Sequence, residues 1–302
     1  MITQIYEIQT PEEAEKCIVL GVDRVGSVLL SEEEWKKPEI RELIRLSDGT
    51  ETKNSLIPLF QNGDALYRAM DYYRPHFVHF CDNLTESSGR LLDLNPFVHL
   101  QKELKKNFPE ILIVRSIPVP EKGSTNQVSV LEIAAELEPV SDGFLIDTWL
   151  GKEPVEGFIG ITGRVSEREA ADKLVRWSST PVILAGGLSP DNVYDAVIDM
   201  MPAGADSCSN TNVVDERGLP VRFRKDFAKV EIFVREVRRA EAALREKKTD
   251  LEKKIRHMEE ELHERETALP AHSVRPHQII AIEDLEEEIA VIEKEFARYR
   301  WV

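Results

Sequence analysis

Residues 181–210, PVILAGGLSPDNVYDAVIDMMPAGADSCSN, constrain the fold more than any other stretch of the chain. Val182 to Ala185 is an apolar run of strand length, the pattern of a strand buried on both faces. Gly186-Gly187 ends it. Ser189 as cap and Pro190 at the first helical position open a helix that carries Val193, Ala196, Val197 and Met200 at helical spacing. A second strand, Ala203 to Ser207, runs into a small polar cluster, Ser207 to Asn210. The unit is βαβ, so its two strand-end turns lie side by side. Glycine lets backbone N–H groups come close to an anion, and a helix N-terminus favours negative charge. Two such turns after the last two strands of a (β/α)8 barrel make its recurrent phosphate site.

The rest of the chain repeats the alternation. Strands are predicted at Gln4–Ile8, Arg24–Leu30, Asn54–Phe60, His76–Cys81, Ile111–Ile117 and Gly143–Asp147. Helices are predicted at a Thr10-Pro11-Glu12-Glu13 capping box, at Glu39–Leu46, Asp64–Tyr73, Asn95–Lys106, Gln127–Leu137 and Ser166–Trp177. Eight strand–helix units call for a parallel sheet covered on both faces, and a closed TIM barrel is the economical form. Periodicity alone leaves a doubly wound open sheet as the alternative. A barrel needs about 240 of the 302 residues, so a remainder must be explained.

Composition narrows the partners. A net charge of −16 argues against nucleic acid or an anionic membrane as the main partner. Cys17, Cys81 and Cys208 are odd in number and lack the spacing of a zinc site or a disulfide framework, which fits a cytoplasmic protein with no metal. No basic-then-apolar leader opens the chain, and no apolar stretch of about 20 residues occurs.

Five motifs in order resemble the phosphoribosylanthranilate isomerases of tryptophan biosynthesis, over about residues 3–237. PVILAGGLSPDNV is similar to the family's strand-seven motif, and Gly204-Ala205-Asp206-Ser207-Cys208-Ser209 to its G-V-D-V-S-S run. Leu145-Ile146-Asp147-Thr148 matches the strand-six end, and Gly160-Ile161-Thr162-Gly163-Arg164 the G-G-T-G-K loop. Arg224-Lys225-Asp226, Lys229-Val230 and Phe233-Val234 resemble the last-helix motif. The resemblance implies an Amadori rearrangement of a phosphorylated aminoaldose to an aminoketose, with no cofactor. An acid protonates the sugar-ring oxygen, a base removes the C2′ proton, and the phosphate is a remote handle. By this match Asp147 is the acid, which requires burial to raise its pKa. Gly186, Gly187, Ser207, Cys208 and Ser209 approach the phosphate, and Thr162, Gly163 and Arg164 form a loop that closes over the ligand.

The strand-one base departs from the family. Its K-I-C-G motif aligns with Gln4-Ile5-Tyr6-Glu7, which puts Tyr6 at the Cys position. Tyrosine has a roughly thirtyfold smaller ionised fraction than cysteine at neutral pH, a handicap of about 2 kcal/mol. The arginine-bearing loop after strand two is replaced by Ser31 to Trp35. The family's Q-L-H-G in strand four reads His79-Phe80-Cys81-Asp82, which offers Cys81 or His79 as a substitute base. Asn210 replaces a glycine after the second phosphate turn. Each of these also has a plainer reading: Tyr6 filling the barrel mouth, Cys81 and Cys17 as small core residues, and His79 as a satisfied interior histidine.

Past the barrel the pattern changes. Val234, Val237, Leu244, Leu251, Ile255, Met258 and Leu262 keep the spacing of a coiled-coil seam, weakened at Glu241 and Lys248. Ala268 to Pro276 breaks the helix, and Ile282, Leu285, Ile289, Ile292 and Phe296 repeat the spacing from about Gln278 to Arg298. The expected division is a barrel over 1–237 and an antiparallel helical hairpin or coiled coil over 238–302, either folded onto the barrel or joining chains into a homo-oligomer. Three functions stay open: the isomerase with a substituted base, a barrel acting on another phosphorylated sugar or on none, and an assembly protein.

Overall fold

The computed structural model describes residues 1–270 and 275–302. Eight parallel strands close into a barrel: β1 (Ile2–Ile5), β2 (Arg24–Leu29), β3 (Lys53–Pro58), β4 (Phe77–Phe80), β5 (Leu112–Pro120), β6 (Gly143–Trp149), β7 (Val182–Leu184) and β8 (Gly204–Ser207). The closed form, not the open sheet, is what the chain adopts. β1 seals it by pairing with β8, Ile2 opposite Gly204 and Ile5 opposite Ser207. Gly204 permits this approach, because a Cβ there would stand 2.6 Å from the Ile2 carbonyl oxygen. Seven helices fill the crossovers: α1 (Pro11–Val19), α2 (Pro38–Leu46), α3 (Gly63–Tyr73), α4 (Asn95–Asn107), α5 (Val130–Leu137), α6 (Arg168–Trp177) and α7 (Val193–Met200).

Two layers of core follow from the double burial of each strand. Outward-facing Ile5, Val25, Leu56, Val78, Ile113, Phe144 and Val182 pack under the helices. Inside the barrel Tyr6, Phe77, Val114, Leu145, Ile183 and Ala185 form a separate plug. The large apolar residues therefore sit on both faces of the same strands, as a parallel barrel requires.

The predicted capping box is present: Thr10 accepts from the Glu13 N–H while the Glu13 carboxylate accepts from the Thr10 N–H, with Pro11 in the first turn. The helix after β7 begins later than expected. Ser189 and Pro190 belong to a turn in which the Val193 N–H donates to the Ser189 carbonyl, and α7 starts at Val193 behind Asn192. Two short strands, β9 (Asn212–Val214) and β10 (Pro220–Lys225), form an antiparallel hairpin between β8 and the last helix that the sequence pattern did not announce.

The last barrel helix, α8, spans Phe227–Thr267 without a break, capped by Asp226 accepting from the Ala228 and Lys229 N–H groups. Its forty-one residues extend about 60 Å, well beyond the barrel wall. A second helix, α9 (Pro276–Phe296), runs back along it, and Met258 packs with Leu285, Ile289 and Ile292, flanked by Leu251, Ile255 and Leu262. The expected break at Ala268–Pro276 falls partly on residues 271–274, outside the described residues. Glu241 and Lys248, the weak points of the seam, mark where α8 leaves the barrel. Glu241 is buried among the Met1 amino group, Arg238 and Arg245, and the Lys248 amine donates to the Val302 carbonyl. The chain end returns to the barrel, with the Arg300 guanidinium donating to the carbonyls of Val175 and Arg176 on α6. No helix among the described residues is long and apolar enough to cross a membrane.

Candidate active site

The C-terminal ends of the strands surround a cavity lined by Tyr6, Glu7, His79, Cys81, Asp147, Asp206 and the turns after β6, β7 and β8. Asp147 stands on β6 with its carboxyl beneath the β6–α6 loop. Gly160 lies directly over it, at φ +100°, where a Cβ would be 2.3 Å from Oδ2. Burial pushes the carboxyl up to about 7, against the Thr148 N–H, which donates to Oδ1, and the Ser116 hydroxyl. An acid required to give up a proton near neutral pH needs this environment.

The two glycine turns meet as the βαβ reading implied. Gly186 and Gly187 have φ of +86° and +67°, and a Cβ on Gly186 would stand 2.3 Å from the Thr148 hydroxyl. The Thr148 hydroxyl donates to the Arg164 carbonyl, so the β7 turn is packed under the β6–α6 loop. Ser207 donates to the Leu188 carbonyl, and Asn210 donates to the Gly187 carbonyl from the second turn. Asn210, a departure from the family motif, thus ties the turns together. Beneath them the buried Lys225 amine donates to the Cys208 carbonyl and to Asn212 Oδ1, placing a cation under the β8 turn.

Of the remaining sequence-predicted residues, Thr162, Gly163, Ser207, Cys208 and Ser209 line the cavity. Arg164 lends its backbone, while its guanidinium points outward to Glu121 at 3.7 Å. Tyr6 follows β1 and is 4% exposed, its ring among the barrel-interior residues. Its hydroxyl lies 2.8 Å from Ser55 Oγ and 2.7 Å from His79 Nδ1, and His79 Nε2 lies 2.7 Å from Ser116 Oγ. Burial and the charge of Asp206 hold the Tyr6 phenol far above its ordinary value. Burial lowers His79 to about 3, with the Arg115 charge acting in the same sense, so the imidazole is neutral. Burial also raises the Cys81 thiol, followed by the charges of Asp82 and Asp147, among apolar Val28, Leu59, Trp149 and Phe158. Tyr6, His79 and Cys81 reach the mouth, and none rests there as an ion.

Two acidic residues of the mouth were not anticipated. Asp206 on β8 is raised to about 8 by burial and by the charge of Asp147, despite the Gln4 amide donating to Oδ1 at 3.2 Å. The G-A-D-S run contained it, but the motif directed attention to the turn rather than to the strand. Glu7 has φ +62° and is buried; burial raises its carboxyl, but Arg222, Asn212 and the Phe223 N–H outweigh that and hold it low. Its partners belong to the β9–β10 hairpin, about 200 residues away in sequence, and no local signal marks them.

Strand order, the acid under the β6–α6 loop and the paired glycine turns define a (β/α)8 barrel with its site at the C-terminal mouth. No family model matches the chain. It is 25% identical over 240 residues to N-(5′-phosphoribosyl)anthranilate isomerase 1 of Methanosarcina mazei, covering 78% of this chain and 94% of that protein. To the N-(5′-phosphoribosyl)anthranilate isomerase of Methanothrix thermoacetophila it is 35% identical over 137 residues, 45% of this chain and 54% of the relative. The solved structure of the Pyrococcus furiosus N-(5′-phosphoribosyl)anthranilate isomerase superposes with a TM-score of 0.55 at 20% identity, over 79% of this chain and 99% of that one. The chain is thus similar over about four fifths of its length to phosphoribosylanthranilate isomerases and shares their barrel fold.

Proposed function

We propose that the chain is a cytoplasmic isomerase that converts N-(5′-phosphoribosyl)anthranilate to its aminoketose by Amadori rearrangement. The observation that carries this reading is Asp147, a carboxyl held at about 7 in the same cavity as the paired glycine turns. Gly186, Gly187 and the Ser207–Ser209 turn hold the phosphate through backbone N–H groups, with the Lys225 charge beneath. Thr162, Gly163 and the Arg164 backbone close over the sugar. Asp147 protonates the ring oxygen and opens the ring. The candidates to take the C2′ proton are Tyr6, in the family's base position, and Cys81, at the end of β4. Tyr6 is the acceptor in this reading, because its hydroxyl is hydrogen-bonded onward to His79, whereas Cys81 packs in an apolar cluster.

The test is turnover of freshly prepared phosphoribosylanthranilate by the wild type, Asp147→Asn, Tyr6→Phe and Cys81→Ser. Loss of about 10²-fold or more in kcat for Asp147→Asn and Tyr6→Phe, with Cys81→Ser little changed, is expected. An inert wild type refutes the reading. One observation favours a different phosphorylated aldosylamine as substrate: among the described residues the cavity lining holds Glu7, Asp147 and Asp206 but no Lys or Arg to pair an anthranilate carboxylate. Assay of aldosylamine phosphates with an uncharged aryl group in place of anthranilate decides between the two.

The division into a barrel over 1–237 and a hairpin unit over 238–302 is retained as a proposal, with the hairpin joining two copies of the chain. Exposed Ile279, Ile280 and Val291 on α9 support that role.

A further inference from the structure

A line of buried hydrogen-bonding groups crosses the barrel floor from the position of the absent cysteine to the acid. Ser55 Oγ is 2.8 Å from the Tyr6 hydroxyl, that hydroxyl is 2.7 Å from His79 Nδ1, and His79 Nε2 is 2.7 Å from Ser116 Oγ. The Ser116 hydroxyl lies close enough to the Asp147 carboxyl to oppose its rise in pKa, though no hydrogen bond joins the two at rest. All four inner residues are 4% exposed or less, so no bulk water interrupts the line. Tyr6, His79 and Asp147 all line the cavity.

We propose that Tyr6, His79 and Ser116 are a proton relay through which Asp147, having given its proton to the ring oxygen, takes back the proton that leaves C2′. The proposal rests on the isomerase reading above and adds to it a route by which the proton accepted at Tyr6 moves onward, so that the phenol need not hold it. Asp147–H first protonates the ring oxygen; the C1′–O bond breaks, and the nitrogen lone pair forms the C1′=N bond of an iminium. The C2′–H bond then breaks. Its electron pair becomes the C1′=C2′ bond, and the C1′=N π pair returns to nitrogen. The C2′ proton passes to the Tyr6 oxygen as the phenol's own proton moves to His79 Nδ1. The Nε2 proton moves to Ser116, and the Ser116 proton moves to the Asp147 carboxylate. Tyr6 and Ser116 end as hydroxyls, Asp147 ends protonated, and His79 has exchanged one neutral tautomer for the other. No free phenolate is formed.

The geometry suits each part. Ser55 is placed to donate to the Tyr6 oxygen, which leaves the phenolic hydrogen for His79 Nδ1. A relaying imidazole must stay neutral, and burial together with Arg115 disfavours its cation. Arg115 is held on Asp82, 2.8 Å from Oδ2, so it presses on His79 without bonding to it. The loose link is Ser116 to Asp147, which is not a formed hydrogen bond at rest; catalytic hydrogen bonds of this kind tighten on substrate binding or take one water. The family motif carries Gln where His79 stands here, and Cys where Tyr6 stands. The two departures face each other.

Ser116 and His79 act through Tyr6 and are positioning residues. The experiment measures kcat, KM and solvent isotope dependence for the full chain and for Ser116→Ala, Ser116→Thr and His79→Gln, using phosphoribosylanthranilate with hydrogen or deuterium at C2′. A fall of about 10²-fold in kcat for Ser116→Ala and His79→Gln, at nearly constant KM, with recovery to within about tenfold in Ser116→Thr, is expected. In mixed light and heavy water the wild-type rate should bow, as several protons in flight require, and the Ser116→Ala rate should be linear. Wild-type kcat in Ser116→Ala, or loss of activity in Asp206→Asn with Ser116→Ala unaffected, overturns the relay. Nitrogen-15 spectra of His79 decide the case without turnover. A neutral ring from pH 5 to 9, with Nδ1 moved by Tyr6→Phe and Nε2 by Ser116→Ala, supports the relay. Titration near 6.5, or insensitivity of either nitrogen, refutes it. An inert wild type with such a spectrum refutes the isomerase reading and leaves the hydrogen-bonded line standing.

Discussion

The ring of Tyr6 lies across Gly26. A Cβ on Gly26 would fall 1.9 Å from the ring carbon Cδ1, so β2 has no side chain where the phenol crosses it. The bulky residue after β1 and the missing side chain on the neighbouring strand are a matched pair. Gly26→Ala is expected to destabilise the protein by about 1–3 kcal/mol, the usual cost of forcing extra volume into a packed interior. Thermal melting of Gly26→Ala beside Gly26→Ala/Tyr6→Cys checks the pairing: the double variant should recover part of the loss, because the smaller side chain vacates the space.

Asp147 and Asp206 make stability depend on pH in the acid-to-neutral range. Both are raised, to about 7 and about 8, above the ordinary value near 4 for an unfolded chain. A carboxyl raised in the folded state contributes its stability in full below the unfolded pKa and loses it as pH rises through the folded pKa. The urea midpoint should therefore decline between about pH 4 and pH 8 through these two groups, and Asp147→Asn should flatten the lower part of that decline. In the isomerase reading kcat falls above about pH 7, as the Asp147 proton is lost.

Glu7 acts with the opposite sign. Its carboxyl is held low by Arg222, Asn212 and the Phe223 N–H, so its contribution is present at neutral pH and is lost as pH falls through the folded value. Glu7→Gln should loosen the β9–β10 hairpin, since Arg222 Nε, 2.7 Å from the carboxylate, then faces a neutral group. Hydrogen exchange at Asn212–Val214 and Pro220–Lys225 should quicken severalfold in Glu7→Gln while β1–β8 keep wild-type protection. Equal protection of the hairpin in both proteins would refute this anchoring.

The barrel was legible in the sequence because each strand is a short run buried on both faces and each crossover carries its own cap or glycine. Thr10 with Glu13 marks α1, and Gly186-Gly187 marks the turn after β7. The place of Asp147 at the end of β6, in the barrel mouth, was legible through its motif. The features that escaped reading are long-range. Glu7 meets Arg222, Tyr6 meets Gly26 and Ser55, and His79 meets Ser116 only after the barrel closes. The start of α7 was misplaced because Ser189-Pro190 has the composition of a cap, yet the Asn192 carboxamide accepts from the Ser189 N–H and spends those residues on a turn. Nothing local separates the two uses.

The hairpin gives the last expectation. Leu285, Ile289 and Ile292 of α9 bury against Met258, whereas Ile279, Ile280 and Val291 remain 45%, 53% and 69% exposed. Exposed apolar groups on an arm that projects from the barrel suit a second copy, which would bring two hairpins face to face. Light scattering of the purified chain should then give twice the 34.4 kDa monomer mass, and Ile280→Glu/Val291→Glu should return it to the monomer with isomerase activity intact. Ile289→Asp should behave differently, losing about 2–4 kcal/mol because it places a charge inside the α8–α9 seam. A monomeric wild type would leave the hairpin folded on its own barrel, held there by Arg300 on α6 and Lys248 at Val302, and would remove the self-association proposal.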